Sequence, residues 1–451
     1  MAKKEVSIWN EAFETMPHPE LEKLQLERLK EVVVRATERV PFYKERYAEA
    51  GLSVNPIQSL EDMAKLPFTT KQDLRDRYPF GMFAVPVHAL AQIHGTSGTT
   101  GKMMVTGYTD QDMEIWAETM ARVYTAGRTT AHDVIHNAYG YGLFTGGLGF
   151  HLGAQKVGAA VVPVSGGLTQ RQVQIMQDFG STILACTPSY ALVIAETAAK
   201  MGVDLRRDTK LKAGFFGAEP WSEGMREEIE KKMGLEAYDV YGLAEIIGPG
   251  VAVECPHHMG LHMAEDHFFP EIIDPRTGDL LDYDQPGELV LTTLTKEGLP
   301  LIRYRTRDRT ALHAEQCPCG RTTVRMERVL GRTDDLLIIR GVNVFPSQIE
   351  HVLLQFEELE PQYMIFVDRR KDRLDTLEVQ VEASEPLYAR GEDAVQEAEE
   401  RVKNAMQEML YISTGVQVVE PGSIERSTGK AQRVVDRRAS KARRGNGSGT
   451  F

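Results

Sequence analysis

From about Ile93 to Leu211, β-branched runs alternate with longer amphipathic stretches, as in Ala159 to Val164, then Arg171 to Phe179, then Ser181 to Ala185. Parallel strands need crossover connections, and helices supply them, so this alternation predicts βαβ units around a largely parallel sheet. The flanking textures differ. The first 90 residues are mostly helical in pattern, with apolar residues recurring at helical spacing from Leu21 through Val34 and stopping before Pro41, which reads as a covering layer. Between about Pro270 and His313, short strands and turn signals such as Asp284-Gln285-Pro286-Gly287 predict a smaller β subdomain. Beyond Gly331-Arg332-Thr333-Asp334-Asp335 comes a second compact unit, with strand candidates around residues 336–339, 363–367 and 377–381 and a long helix candidate over 394–409. The expected class is α/β: a large domain over residues 1–332, a smaller α+β domain over 333–436, and a basic, then Gly/Ser-rich solvated tail over 437–451.

At 451 residues the chain exceeds the roughly 250–300 residues that one core sustains, which also requires at least two domains. Its 42% hydrophobic and 26% charged residues exclude wholesale disorder. A net charge of −13 argues against non-specific binding to nucleic acid or to an anionic membrane, since a polyanion is repelled. No apolar leader follows Met1, and no stretch reaches the roughly 18 apolar residues that a span needs, so a cytoplasmic location is expected. Four cysteines in so long a chain are no disulfide framework. A symmetric dimer is the base-rate expectation for assembly.

The sharpest local signal is Gly95-Thr96-Ser97-Gly98-Thr99-Thr100-Gly101-Lys102. Its glycines let the backbone approach a ligand closely, and its hydroxyls and Lys102 offer donors with no carboxylate nearby to repel an anion. A polyphosphate needs this environment. It is not a Walker A loop, because Thr96 stands where that pattern wants Gly, and Met103 where it wants Ser or Thr.

The loop resembles the signature of the adenylate-forming (acyl-CoA synthetase) superfamily, and five further segments resemble that superfamily's other motifs in order. Tyr241-Gly242-Leu243-Ala244-Glu245 resembles the motif whose Glu helps hold Mg²⁺ of MgATP, and Gly217-Ala218-Glu219-Pro220 the adenine-contacting segment. Tyr304-Arg305-Thr306-Arg307-Asp308 is similar to the stretch whose Asp grips the ribose hydroxyls. Gly331 to Asp335 resembles the interdomain hinge, with Asp334 as hinge residue, and Arg426-Ser427-Thr428-Gly429-Lys430 the loop that carries the catalytic Lys. The stretches 241–250, 303–308 and 339–348 are similar to the phenylacetate–CoA ligase family. Two departures stand out: Ala244 replaces a hydroxyl residue common before the motif Glu, and Arg307 replaces the Gly common before the ribose-binding Asp.

That resemblance implies an ATP-dependent aryl-acid–CoA ligase with Mg²⁺, ATP, an aromatic carboxylate and CoA as its small-molecule partners. A carboxylate is a poor acyl electrophile, and attack on the α-phosphorus of ATP converts it to an acyl-AMP that a thiol can open. Both reactants of the first step are anions, so positive charge must be gathered around them. By resemblance Lys430 bridges the carboxylate and α-phosphate, Lys102 and the loop around it hold the outer phosphates, and the mobile C-terminal domain swings between half-reactions to bring Gly341 to the CoA path. Arg332 reads as a phosphate or ribose contact, with a surface salt-bridge residue as the competing reading. Alternative readings are a ligase for benzoate or indoleacetate, an enzyme that loads a carrier protein, and a nucleotide-binding scaffold without catalysis.

Aromatics mixed with glycines over 136–147 suit a flat apolar ligand near backbone, which nominates Tyr139, Tyr141, Phe144 and Ile247 as the acyl pocket. Finally, Cys255 and the histidines that follow it face a later Cys317-Pro318-Cys319 turn. Two pairs of such ligands make a closed tetrahedral Zn²⁺ site, for which a structural role is expected. His262 is the chosen fourth ligand and His258 its main rival, because His262 follows a Gly-Leu-His pattern of resembling members. Cys186, on an apolar strand, reads as core.

Overall fold

The computed structural model describes residues 6–96, 103–329, 331–333, 337–340, 342–369, 375–427 and 431–438. At its centre is a nine-stranded sheet whose first five strands are parallel, in the order Ala160–Val162, Val134–Asn137, Ile183–Cys186, Ala213–Gly217 and Glu236–Leu243. The four beyond them, Gly248–Glu254, Leu261–Met263, Arg325–Met326 and Leu312–His313, are antiparallel. The expectation of a largely parallel sheet, drawn from about Ile93 to Leu211, holds for the central-sheet strands of that span, and the chain beyond Leu243 adds antiparallel ones. The physical reason is length: only residues 244–247 link the fifth and sixth strands, too few for a crossover, so the chain must turn back on itself.

Strand order reverses between Val134–Asn137 and Ile183–Cys186, with later strands added on one side only. In such doubly wound sheets a crevice opens beyond the carboxyl ends at the reversal. Helices cover the faces: Asp110–Ala126, opened by a Thr109 cap that accepts the Asp112 amide, packs with Thr145–Val157 against the antiparallel part, and Pro188–Lys200 packs with Thr169–Asp178. Some glycines are dictated by close approach. A Cβ on Gly217 would lie 2.1 Å from the Val240 carbonyl oxygen, and one on Gly242 would lie 2.0 Å from that of Gly248.

A four-stranded antiparallel sheet, Phe268–Ile273, Gly287–Thr293, Tyr304–Thr310 and Gly331–Arg332, forms the smaller β unit. The hairpin Gln92–Thr96 with Met104–Tyr108 stands beside it, and the N-terminal helix His18–Arg39 buries Leu21, Leu29, Val32, Val33 and Ala36. The C-terminal unit has its own core, from Leu337 to Val418, under a sheet ordered Gly415–Val419, Asp375–Ala383, Leu359–Arg369, Val434–Asp436 and the helices Pro346–Leu353 and Glu392–Leu410. Among the described residues no helix is long and apolar enough to cross a membrane.

Candidate active site

Two of the predicted acids converge through a reciprocal arrangement of phenols. Tyr241, at the carboxyl end of its central strand, donates its hydroxyl to Asp308 Oδ2 at 2.6 Å, and Tyr304, from the smaller sheet, donates to Glu245 Oε1 at 3.3 Å. Each sheet thus supplies one phenol to the other's side of the seam, and Glu245 sits in the tight 244–247 turn that the strand reversal creates. Burial, with the adjacent carboxylate charge adding to it, raises both phenols well above their ordinary range, so they stay protonated donors.

The Glu245 turn is pinned from beneath. Tyr108 donates to the carbonyls of Ala244 (3.3 Å) and Ile247 (3.1 Å), and Lys296 Nζ donates to the Glu245 carbonyl at 3.2 Å and to Thr106 Oγ1 at 3.0 Å. Lys296 also lies 4.5 Å from the Tyr108 ring centroid. Burial pulls its pKa down to about 8, against the charges of Asp112 and Glu245. Asp308 also accepts from Arg332 Nη1 at 3.3 Å, its direct neighbour across the antiparallel pair. Arg307 has φ of 72°, the left-handed region that Gly adopts at no steric cost.

The second cation facing Glu245 is one that the sequence did not reveal: Lys71 Nζ stands 3.5 Å from Glu245 Oε1. It opens the helix Lys71–Asp76, capped by Thr70 and Asp73, so in sequence it reads as an ordinary helix start in the covering layer. No local signal marks it.

Thr96 ends the hairpin strand, and the neighbouring Gly95 amide donates to the Leu143 carbonyl at 3.0 Å, which ties that hairpin to the aromatic-glycine segment. Ser97, Gly98, Thr99, Thr100, Gly101, Lys102, Asp334, Gly341 and Lys430 lie outside the described residues. Ala218 has φ of 72° after the close approach at Gly217, and the Glu219 carboxylate accepts from the Ser189 amide at 2.8 Å and the Ala431 amide at 2.9 Å. The four residues nominated for the acyl pocket differ in setting. Tyr139 is buried and stacked on Phe150 at 4.6 Å, and Ile247 is buried in the main core. Tyr141 is half-buried, accepting from Asn137 Nδ2 at 2.8 Å and lying 3.1 Å from His151 Nδ1, while Phe144 is 52% exposed.

On the antiparallel side of the large sheet, Cys255, His262, Cys317 and Cys319 are all buried with their donor atoms within 4.8 Å of one another. Cys255 and Cys317 sulfurs are 3.6 Å apart, far beyond a disulfide bond, and Cys319 Sγ is 3.3 Å from His262 Nε2. Ligands on a tetrahedral Zn²⁺ with bonds of about 2.3 Å to sulfur stand about 3.7 Å apart, so this donor set and its spacing fit that ion. His258 is elsewhere, 3.5 Å from both Glu236 and Glu254. Cys186 is buried among apolar residues.

Residues 14–294 match the family described as AMP-binding enzyme, and residues 341–438 the AMP-binding enzyme C-terminal domain. The phenylacetate-coenzyme A ligase of Thermus thermophilus is 48% identical over 445 residues, covering 96% of this chain and 100% of that protein. Among solved structures, 2-hydroxyisobutyryl-CoA ligase in its postadenylation state superposes with a TM-score of 0.91 at 30% identity, covering 98% of this chain and 95% of that one. The same ligase with CoA in its thioesterification state gives 0.70 at 31% identity, covering 97% and 94%. With the motif order, the seam of paired phenols and acids and these likenesses together, the chain belongs to the AMP-binding enzyme family, within its phenylacetate–coenzyme A ligase group.

Proposed function

We propose that the protein activates phenylacetate with ATP and passes the acyl group to CoA. The reciprocal Tyr241–Asp308 and Tyr304–Glu245 seam supports this most directly, because it holds two acids ready at the crevice edge, one for the ribose hydroxyls and one for the cation that accompanies the triphosphate. In the first step a carboxylate oxygen attacks the α-phosphorus and pyrophosphate leaves. In the second the CoA thiol sulfur attacks the acyl carbon, its proton is lost, and AMP leaves.

Glu245 would hold Mg²⁺, whose charge offsets the phosphates and lowers the barrier to bringing two anions together. Lys71, beside Glu245, adds fixed positive charge at the same edge, while Lys102 and the loop Thr96, Ser97, Gly98, Thr99, Thr100 and Gly101 would bind the outer phosphates. Gly217, Ala218, Glu219 and Pro220 would flank adenine, Tyr241 and Gly242 the sugar, and Arg332 the ribose or phosphate. Lys430 would neutralise the meeting oxygens, Asp334 would act as the hinge, and Gly341 would line the CoA path. Tyr139, Tyr141, Phe144 and Ile247 would line the acyl pocket. A hydrophobic pocket separates neighbouring acids by only about 1–3 kcal/mol, so the choice of phenylacetate rests on the likeness to named relatives.

A panel of aromatic acids assayed for pyrophosphate release with and without CoA tests the reading. Phenylacetate should give the highest kcat/KM and a CoA thioester. Carboxylate-dependent AMP release that ignores free CoA would overturn it in favour of carrier loading.

The Cys255, His262, Cys317 and Cys319 cluster would hold a structural Zn²⁺ that clamps the Cys317–Cys319 turn to the end of the Gly248–Glu254 strand and to the Leu261–Met263 strand. Metal analysis should find about one zinc per chain, lost together with thermal stability in Cys317→Ser. A metal-free preparation of full stability would refute it.

A further inference from the structure

The segment that carries Lys430 is fastened to the large domain on both sides of that residue. Upstream, Arg426 reaches Glu196 on the Pro188–Lys200 helix, with Nε to Oε2 at 2.9 Å and Nη2 to Oε1 at 3.0 Å. Downstream, the Ala431 amide donates to Glu219 Oε2 at 2.9 Å, and Arg433 Nη2 donates to Ser189 Oγ at 3.0 Å. Glu350 of the small domain accepts the Ser222 amide at 3.1 Å. Ser189 and Glu196 are seven residues apart on one helix, two turns along the same face, so a single helical edge receives both ends of the segment.

A second feature sets this contact apart from a permanent interface. Its charged members keep partners inside their own domains. Arg426 also donates to Glu382 at 2.6 and 2.8 Å, Arg433 pairs with Glu350, and Glu350 accepts from Tyr363 at 2.9 Å. On the other side Glu196 holds Lys200 at 2.7 Å, and Glu219 holds the Ser189 amide. Breaking a buried ion pair is costly chiefly because it strands a charge. Here parting the domains strands none, so the contact positions firmly and releases readily. Burial opposes ionisation of Glu196, yet the Arg426 and Lys200 bonds overcome it and hold this carboxyl below its ordinary range.

We propose that Glu196, with Ser189 and Glu219, forms a docking edge specific to the acid-activating arrangement, holding the lysine-bearing segment in place for adenylation and letting it go for thioester formation. The inference rests on the ligase reading above. It agrees with the closer whole-chain likeness to the postadenylation than to the thioesterification state of 2-hydroxyisobutyryl-CoA ligase. Glu196 is a positioning residue, acting through Arg426 and not on substrate.

The test uses the full chain and two separate half-reactions: phenylacetate-dependent ATP–pyrophosphate exchange, and thioester formation from supplied phenylacetyl-adenylate and CoA. With side chains 21% and 24% exposed, the Arg426–Glu196 pair lies between a surface and a buried pair. Glu196→Gln should therefore lower kcat of exchange roughly three- to tenfold, with KM for ATP nearly constant and the second half-reaction undiminished. Ser189→Ala should shift the ratio of the two rates in the same direction, and Glu196→Asp should recover part of the loss. Equal slowing of both half-reactions, or an unchanged ratio, overturns the docking edge. A wild-type chain inactive in both assays would instead overturn the ligase reading.

Discussion

Two contacts in the molecule run through charged side chains, that of the β unit with the N-terminal layer and that of the large domain with the C-terminal domain, but they are built differently. Against the N-terminal layer, Arg303 of the β unit is 3% exposed and pairs with Glu271, itself 5% exposed, at 2.9 and 3.1 Å. Its remaining nitrogen donates to the carbonyls of Ala64 and Leu66, and Phe68 lies 4.2 Å from the guanidinium. Tyr43 and Thr69 extend the seam, with backbone bonds from Thr69 to Arg303 and from Arg305 to Thr69. Against the C-terminal domain, the arginines sit nearer solvent and share their bonds between two domains. An arginine buried together with its carboxylate, and bonded to backbone carbonyls across the seam, makes a contact that does not part without exposing a desolvated pair, while arginines nearer solvent that retain a partner in their own domain make it reversible.

The strongest challenge to that distinction is Glu271→Gln. It leaves Arg303 buried without its counter-charge, and denaturant unfolding should show a loss of about 3–5 kcal/mol. A loss below about 1 kcal/mol, the range of a surface pair, would erase the contrast between the seams.

Lys296 sharpens the comparison from within the permanent part, since its charge is enclosed under the Glu245 turn. Its folded pKa of about 8 lies below the ordinary 10.5, so between these values the unfolded chain holds a proton that the folded chain has released. Stability from this group should rise with pH across that window, by at most roughly 3 kcal/mol, and the rise should vanish in Lys296→Met. Buried tyrosines such as Tyr43, pushed up by burial to about 12, act in the opposite direction above about pH 10, so the wild type and variant are best compared by thermal or denaturant unfolding below that pH. Parallel curves for the two proteins would show that the ammonium is not enclosed.

The smallest effect is expected at the reversible contact. Glu196→Gln should change global stability by less than about 1 kcal/mol while altering the half-reaction ratio, and raising salt toward about 1 M should weaken the Arg426 contact while the Arg303 seam stays unaffected. Unfolding midpoints of both variants in low and high salt check this. A large stability loss in Glu196→Gln would place both seams in one class.

Local features of the chain carried much of this. Apolar spacing from Leu21 to Val34 reads directly as the helix His18–Arg39, and the Gly217 and Gly242 positions are where neighbouring backbones leave no room for a Cβ. The antiparallel half of the central sheet was not legible as such, since β-branched runs look alike in either direction and only the four-residue link at 244–247 decides. Nor was Lys71, whose capped-helix setting gives no hint that it faces Glu245.

By itself the sequence determined which residues could do chemistry: a hydroxyl- and glycine-rich loop, two acids in ordered motifs, a terminal lysine and soft donors in pairs. Periodicity, glycine placement and donor type are short-range properties, written in neighbouring residues. Tertiary structure alone decided the partners: Tyr241 with Asp308 across 67 residues, Tyr304 with Glu245 across 59, His262 and not His258 among the thiols, and Glu196 beneath Arg426. Such pairings depend on how layers stack and where a strand reverses, and no spacing within one segment can encode them.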